Sequence, residues 1–242
     1  MTSGPISNLV MGSVGVASKL FLRLFVRDLR IHNLPVLVAA IEGRPPGTPL
    51  ITVSNHTSTL DDPLLFGILP PRILFSAHKM RWALGAEELL FTNPIFSAFF
   101  STGRVLGIRR GDGVMQPNVT SAIQHLNRGD WVHVFPEGRC VPDSTRLKDR
   151  LKWGVGRMLL EAQTPPILLP IIHQGLEHVK PLGVWLPRPT KSLCITVGQP
   201  VDTAALRKDL STISDPNEQR SRATAFVASE MSKCYQDDWR RP

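Results

Sequence analysis

The sequence of 242 residues contains little tyrosine and little cysteine. Tyrosine occurs once, and no aromatic-rich basic strand or groove-reading helix pattern accompanies it, which argues against nucleic-acid binding. The three cysteines, Cys140, Cys194 and Cys234, lie far apart without C-x-x-C spacing. Neither a disulfide framework nor a zinc site is therefore suggested. We expect reduced, buried thiols.

Long hydrophobic runs are also scarce. A helix that spans a bilayer needs about 18 consecutive apolar residues, whereas the uncharged run from Leu89 to Gly103 is shorter and contains Pro94. This run is not expected to cross a membrane. Its length suits an interfacial segment near residues 84–102, and a buried pair of core helices is the alternative.

Acidic residues are outnumbered by basic ones. The chain has 28 Lys and Arg against 20 Asp and Glu, a formal net charge of +8. This imbalance favours an anionic partner such as a membrane surface or a phosphorylated substrate. The length suits one domain, which we assign to residues 31–242 after an N-terminal segment of residues 1–30.

The N-terminal segment has a basic amphipathic pattern. Four basic residues recur at helical spacing between Lys19 and Arg30, among apolar side chains, and Asp28 is the only acid in the first 41 residues. The pattern predicts a helix over residues 8–30. Such a helix suits membrane association or mitochondrial targeting, and an ordinary surface helix is the alternative.

Short apolar runs alternate with helical patterns along the rest of the chain. Strands are predicted at PLITVS, RILFSA, RVLGIR, DWVHVF, ILLPII and SLCITVG. Two amphipathic helices are predicted from one-sided apolar sets, namely Val119, Ala122, Ile123 and Leu126, and Val155, Met158, Leu159 and Ala162. This order predicts an α/β fold with a mixed, mainly parallel sheet flanked by helices. Pro170 in ILLPII favours an edge strand or a pocket wall.

The stretch SNHTSTLDDP places His56 five residues before Asp61. Asp62 followed by Pro63 predicts a helix N-cap and a first-turn proline, which leaves His56 and Asp61 in a loop after a strand. Acyl transfer to an alcohol requires a base that is neutral near pH 7, and a carboxylate on the second ring nitrogen would orient it. Alternatively, Ser58 and Asp61 fit a capping box that serves only the helix start.

Two more polar loops follow predicted strands. RRGDG begins at Arg109, and FPEGR presents Glu137 and Arg139. Loops at strand ends of α/β folds bind ligands, and arginine suits phosphate. A β-turn with solvated arginines is the alternative for RRGDG. The run RLKDRLK at residues 146–152 either adds to the positive cluster or forms a solvated helix face.

The ordered motifs N-H-x-S-x-x-D, RRGDG, F-P-E-G and an apolar strand with proline resemble those of the glycerolipid acyltransferases, and the tafazzin branch most closely over residues 31–182. The resemblance implies a glycerol-3-phosphate acyltransferase-like, monotopic, membrane-associated fold. It implies that His56 is the base and Asp61 its orienting carboxylate. It also assigns substrate binding to Asn55, Ser58, Arg110 (with Arg109 the alternative), Glu137, Gly138 and Arg139, the last in place of the usual Thr or Ser.

The resemblance further implies an activity and a location. Acyl chains would pass from a phospholipid such as phosphatidylcholine to monolysocardiolipin without CoA or another cofactor, remodelling cardiolipin. The protein would lie on the inner or outer mitochondrial membrane, facing the intermembrane space. An acyl-CoA-dependent 1-acylglycerol-3-phosphate acyltransferase is the alternative enzyme, and a non-catalytic lipid-binding protein is the alternative of another class.

The sequence gives less support to a cysteine nucleophile or a metal site. Cys140 and His133 flank FPEGR and could form a nucleophile and its base. They are an odd number of positions apart, so on an extended strand their side chains would point to opposite faces. A structural cysteine is therefore expected. His56, Asp61 and Asp62 lack the H-E-x-x-H or C-x-x-C spacing of metal sites. No metal is expected.

Overall fold

A computed structural model of the chain describes residues 4–143, 145, 147 and 151–236. The strands are β1 Val26–His32, β2 Leu50–Ser54, β3 Trp82–Ala86, β4 Val105–Ile108, β5 Trp131–Val134, β6 Ile167–Gln174, β7 Thr190–Val197 and β8 Val201–Asp202. The helices are α1 Pro5–Phe25, α2 Leu34–Glu42, α3 Asp61–Phe66, α4 Pro71–Leu74, α5 Glu87–Leu90, α6 Pro94–Thr102, α7 Pro117–Asn127, α8 Gly154–Glu161, α9 Leu176–Val179, α10 Ala204–Leu210 and α11 Pro216–Ser232.

The strands form one mixed sheet in the order β1-β7-β6-β2-β5-β3-β4, and β8 pairs with β6. The pairs β6–β2, β2–β5, β5–β3 and β3–β4 are all parallel. β1 is parallel to β7, whereas β7 and β8 run antiparallel to β6. The mixed, mainly parallel sheet expected from the sequence is therefore confirmed.

Helices cover both faces of the sheet. Alternate residues of β2 point to opposite faces: Leu50 joins a core beneath α1–α4, while Ile51 and Val53 join a core beneath α7, α8 and α11. Such alternation with both faces buried is the pattern of a parallel sheet between helix layers. The apolar faces predicted for α7 and α8 are buried as expected.

Helix α1 packs closely on the domain through small residues. A Cβ on Gly15 would lie 2.6 Å from the Leu74 side chain, and one on Gly67 would lie 2.7 Å from Cβ of Ser18. In the described part of the chain, α1 is the one helix long and apolar enough to cross a membrane, with a mean hydropathy of 1.3 and 33% of its most apolar window buried. A packed core helix meets the same criterion.

Two elements in the first third of the chain differ from those predicted from the sequence. The helix expected through residue 30 ends at Phe25, and residues 26–32 form β1 because pairing with β7 outweighs their helical spacing. Arg27 and Arg30 therefore lie on a strand. The strand expected at RILFSA is wrong. Pro71 starts the short helix α4 there, and a 3₁₀ turn follows at Ala77–Lys79.

Two proline-based predictions are also wrong. Helix α3 begins at Asp61 with Leu60 at the N-cap position, and the Asp62 carboxylate pairs with the guanidinium of buried Arg81 instead of capping. Pro170 lies in the central strand β6, between β2 and β7. It is tolerated there because it faces the break between β7 and β8, where regular pairing is interrupted.

The apolar segment near residues 84–102 forms the end of β3 and the helices α5 and α6. Neither helix contains a buried residue. Leu89, Ile95, Phe96 and Phe99 are 60%, 79%, 50% and 44% exposed. The alternative of a buried core helix pair is therefore wrong. Of the run RLKDRLK, residues 146 and 148–150 lie outside the described residues, and Leu151 is buried.

Candidate active site

The site is built where two adjacent parallel strands end. β2 leads into the loop that carries His56, and its neighbour β5 leads into the loop that carries Glu137 and Cys140. Parallel strands end at the same edge of a sheet, so two loops far apart in sequence meet there. The sheet order thus places the first and third motifs side by side.

His56 and Asp61 form a hydrogen-bonded pair. Nδ1 of His56 lies 2.9 Å from Oδ2 of Asp61, whose side chain is fully buried. The same oxygen accepts hydrogen bonds from the backbone N–H groups of Thr57 and Ser58, at 2.6 and 2.8 Å. Asp61 therefore fixes the backbone of the loop before α3 and also orients the imidazole. Its turn-forming hydrogen bonds and a catalytic role are compatible.

The β5 loop encloses the His56 ring. Phe135 stacks on the ring with centroids 4.4 Å apart, and Oε1 of buried Glu137 accepts the His56 backbone N–H at 3.1 Å. The backbone N–H of Val141 donates to the His56 carbonyl at 2.6 Å. Sγ of Cys140 lies 3.2 Å from Nε2. The two loops thus hold His56 from both sides.

The surroundings of His56 set its protonation. Burial lowers the pKa of the ring, but the hydrogen bonds to Asp61 and Cys140 oppose burial and raise the pKa to about 10. The resting imidazole is therefore protonated at neutral pH. The neutral form, which a base requires, is the minor species until the contacts change.

Asn55 and Ser58 anchor the loop that carries His56. The Asn55 side-chain amide donates to the His173 carbonyl at 2.8 Å and accepts the His173 N–H at 3.0 Å. The Ser58 hydroxyl donates to the Lys180 carbonyl at 3.0 Å. Both residues, expected to bind substrate, lie in contacts that hold the loop to β6 and the segment after it.

His173 lies beside the His56–Asp61 pair, although none of the sequence motifs includes it. It is fully buried in β6, with Nε2 2.8 Å from the Asn55 carbonyl and 3.5 Å from Oδ2 of Asp61. A histidine at the end of the apolar strand ILLPII was the available signal. Nothing in the sequence placed that strand beside the His56 loop.

Arg109 and Arg110 lie farther along the same edge. They follow β4, which is three strands from β2, roughly 14 Å at the usual strand spacing. Arg109 pairs with Glu87 at 3.2 Å, and Arg110 pairs with Glu88. The four side chains line an open cleft of about 470 Å³. The structure thus does not bring Arg110 into contact with His56.

Gly138 and Arg139 are exposed beside the His56 loop. The backbone of Gly138 has φ of +68°, a left-handed conformation that favours glycine, so the turn after Glu137 explains this glycine. Arg139 follows directly and carries its charge at the surface of the same loop.

Residues 35–174 match the family model described as Acyltransferase. The chain belongs to the acyltransferase family. It is 36% identical over 233 residues to Tafazzin of Drosophila melanogaster, covering 96% of this chain and 60% of that protein. It is 42% identical over 178 residues to an Arabidopsis thaliana protein named N-acylphosphatidylethanolamine synthase, covering 71% of this chain and 62% of that protein. The chain therefore spans about three fifths of the length of these curated relatives.

A solved structure supports the fold of this acyltransferase family member. The Thermotoga maritima 1-acyl-sn-glycerophosphate acyltransferase PlsC superposes with a TM-score of 0.59 at 21% identity, covering 93% of this chain and 78% of PlsC. Together, the comparisons confirm the family, the resemblance to tafazzins and the fold class expected from the sequence.

His133 has a different environment from His56. Its Nδ1 lies 2.7 Å from Oγ1 of Thr52 and its Nε2 lies 3.2 Å from Oγ of Ser54. Complete burial lowers the pKa of His133 well below its usual value, so the ring is neutral. The pairing of Cys140 with His133 was rejected from the sequence, and the structure instead brings Cys140 to His56.

Proposed function

We propose that this family member transfers fatty acyl chains between lipids, with His56 and Asp61 as its catalytic pair. The observation that supports this most directly is the hydrogen bond between His56 Nδ1 and the buried Asp61 carboxylate, at the end of a parallel strand. The His56 side chain is 23% exposed, so an incoming group can reach the ring. These are the requirements for moving a proton to and from a lipid hydroxyl.

The proposed reaction is a phospholipid–lysophospholipid transacylation without CoA, with phosphatidylcholine as donor and monolysocardiolipin as acceptor. Similarity to Drosophila Tafazzin over 96% of the chain supports this substrate class. His56 accepts a proton from the hydroxyl that attacks and returns a proton to the hydroxyl that leaves. Asp61 stabilises the imidazolium in both directions. One ester is made as another is broken, so the exchange is reversible.

The phosphate of each lipid requires a cation. We assign this role to Arg110, and place Gly138 and Arg139 at the acceptor. Arg110 is about half exposed and is held by Glu88 in the resting structure, so an incoming phosphate competes with that carboxylate. Glu137 contributes by holding the His56 backbone.

We propose that the protein lies on a membrane through an apolar face, defined as Ile6, Leu9, Val16, Leu20 and Leu24 of α1 together with Leu89, Ile95, Phe96 and Phe99 of α5 and α6. All nine side chains are exposed. The Ser7 hydroxyl donates to the Thr102 carbonyl at 2.7 Å, which joins α1 to α6. Exposed apolar side chains on two adjoining helical segments, with Lys19 and Arg23 beside them on α1, suit insertion into one leaflet of an anionic membrane.

The location that follows from this proposal is a mitochondrial membrane, inner or outer, on the side of the intermembrane space. Cardiolipin and its lyso form would be met there. Monotopic attachment by the apolar face would bring the His56 loop to lipids too insoluble to diffuse to it.

The second candidate is acyl transfer to an amine. It is favoured by the 42% identity to a protein named for making N-acylphosphatidylethanolamine. The acceptor nitrogen would replace the hydroxyl at His56. The donor in either reaction is a phospholipid, and acyl-CoA is the alternative donor.

The test uses the purified chain on liposomes that contain linoleoyl-labelled phosphatidylcholine. Monolysocardiolipin, lysophosphatidate or phosphatidylethanolamine is added as acceptor, with and without acyl-CoA whose acyl chain carries a second, distinguishable label. Labelled cardiolipin without CoA, absent with the His56→Ala variant, is the expected result. Label on the ethanolamine nitrogen would favour the second candidate, strict dependence on acyl-CoA would favour the CoA-dependent enzyme, and binding without transfer would favour the lipid-binding protein.

A further inference from the structure

The connection between α9 and β7, residues 180–189, presents large apolar side chains to water, and we call it the Trp185 loop. Leu182, Trp185 and Leu186 are 44%, 88% and 64% exposed. Apolar surface gathered at the tip of one short loop is unfavourable in water and marks an interaction site. The proposed reaction makes no use of these three side chains.

Hydrogen bonds hold the backbone of the Trp185 loop. The N–H of Arg188 donates to the Val179 carbonyl at 2.7 Å and closes the neck of the loop, and the N–H of Val184 donates to the Pro181 carbonyl at 3.2 Å. The ammonium of Lys180 donates to the Val184 carbonyl. Three prolines among the ten residues restrict the chain further. The apolar tip therefore loses little conformational freedom when it binds.

The Trp185 loop lies at the edge of the sheet that carries His56. β6 is parallel to β2, so both strands end at this edge. The Ser58 hydroxyl donates to the Lys180 carbonyl at 3.0 Å, which ties the base of the Trp185 loop to the His56 loop. A surface that binds the Trp185 loop is therefore brought to the edge where His56 lies.

The C-terminal end of α1 reaches the same edge. Thr190, which follows the Trp185 loop, is paired in register with Val26, which follows α1. Leu20 and Leu24, in the last turns of α1, are 54% and 67% exposed. The apolar face proposed to contact the membrane thus extends toward the Trp185 loop, so one bilayer can contact both.

Positive charge surrounds this apolar tip. The Trp185 loop contains two basic residues and no acidic one, and Arg188 is exposed. Arg23 and Arg27 are exposed at the neighbouring end of α1. Basic residues near a membrane surface are attracted to anionic headgroups, and tryptophan favours the level between the headgroups and the acyl chains. An anionic bilayer supplies both the negative surface and the apolar layer.

We propose that the Trp185 loop is an interfacial anchor that docks on the surface of an anionic phospholipid bilayer. Trp185, Leu182 and Leu186 enter the headgroup level, and Arg188 contacts lipid phosphate. The anchor turns the edge that carries His56 toward the lipids. This inference rests on the proposed function, because it states how the same site meets its substrates.

The first test follows the fluorescence of Trp185. The purified full chain is mixed with vesicles of phosphatidylcholine, with and without phosphatidylglycerol. The emission of the wild type minus that of Trp185→Phe isolates the signal of this tryptophan. We expect a shift to shorter wavelength on the anionic vesicles and quenching by phosphatidylcholine brominated on its acyl chains. Trp185 that stays in water on vesicle-bound protein, with unchanged quenching by acrylamide, would overturn the anchor and leave the loop to a protein partner.

The second test measures affinity by sedimentation with the same vesicles. Trp185→Glu should weaken binding by about tenfold, because a carboxylate replaces an interfacial aromatic side chain. Gln124→Glu, on an exposed position of α7, adds the same charge away from the loop and is the matched control. Arg188→Gln should reduce the salt dependence of binding. Equal weakening by Trp185→Glu and Gln124→Glu would contradict the anchor.

The third test separates docking from chemistry. Transfer by Trp185→Glu should fall by about tenfold on vesicles and stay within about twofold of wild type on short-chain lipids dispersed as monomers, because monomers do not require docking. An equal loss on both substrates would overturn the anchor. Insertion of Trp185 by a chain that transfers to none of the acceptors would support the anchor and refute the proposed function. Normal transfer by a chain whose Trp185 stays in water would do the reverse.

Discussion

Asp61 Oδ2 lies 2.9 Å from Nδ1 of His56, and the same oxygen accepts the backbone N–H groups of Thr57 and Ser58 in the loop before α3. One carboxylate thereby links the conformation of this loop to the orientation of the imidazole. Because Asp61 is fully buried, its charge acts on His56 with little screening by water.

Replacement of Asp61 by Asn should therefore remove activity more than stability. Asn keeps an oxygen for the two backbone N–H groups but loses the charge that favours the imidazolium, so transfer should fall by about a hundredfold or more with the fold retained. His56→Ala should be as severe. The measurement is lipid transfer beside thermal unfolding, with exposed His78→Ala as the histidine control. A folded Asp61→Asn protein with wild-type transfer would reduce Asp61 to a helix cap.

Stability should fall on mild acidification because of His133. Burial holds its pKa well below the usual 6.5, so below about pH 6.5 the unfolded chain binds a proton that the folded chain does not. The contribution of neutral His133 is complete above that pH and is lost as pH falls, by at most about 1.4 kcal/mol per pH unit. Urea unfolding at pH 7.5 and 5 measures the loss. His133→Gln should flatten the difference, and an unchanged slope in that variant would assign the effect to other groups.

Gly156→Ala should destabilise the chain by about 1–3 kcal/mol. The added Cβ would lie 2.4 Å from the Arg220 carbonyl oxygen and 2.6 Å from Oγ1 of Thr224, where α8 meets α11. Gly154, in the same helix, has open space around its Cβ position. Gly154→Ala is thus the matched control and should be neutral or stabilising. Equal midpoints for the two variants in urea would show that α11 moves aside without cost.

Glu88→Gln should improve binding of anionic lipids. The substitution releases Arg110 from its ion pair, so the KM for monolysocardiolipin should fall about twofold to fivefold with little change in kcat. Arg110→Ala should instead raise KM. Glu87→Gln releases Arg109 from the corresponding pair and serves as the comparison. A larger effect of Glu87→Gln would transfer the phosphate-binding role to Arg109.

Phe96→Glu should weaken attachment to liposomes. Phe96 is half exposed on the apolar face, and a carboxylate there opposes insertion among acyl chains and anionic headgroups. Gln124→Glu, on an exposed position of α7, adds the same charge without removing apolar surface. Sedimentation with anionic liposomes at low and high salt measures both. Equal loss with the two variants would indicate that net charge, and not the apolar face, controls binding.

Local patterns in the sequence were sufficient for several features. One-sided apolar spacing located α7 and α8, and β-branched runs located β2 and β5. The motifs around His56 and Glu137 indicated the family, because each depends on residues close together in the chain. The proposed catalytic pair could be recognised from the sequence for the same reason, since His56 and Asp61 are only five residues apart.

The tertiary structure decided the features that depend on distant partners. Residues 26–32 have helical spacing but form β1 because β7 offers a strand to pair with. Pro170 sits in a central strand because a break between β7 and β8 lies opposite it. Asn55 and Ser58 hold the loop because the His173 and Lys180 carbonyls are within hydrogen-bond reach of their side chains.

The sequence by itself determined the fold class, the family and the His56–Asp61 pair, because periodicity, turn chemistry and short motifs are local. Only the tertiary structure brought Cys140 against His56, placed His173 beside Asp61 and held Arg110 on Glu88. These contacts join residues separated by tens of positions in the chain. They depend on the order of the strands in the sheet, which local sequence does not encode.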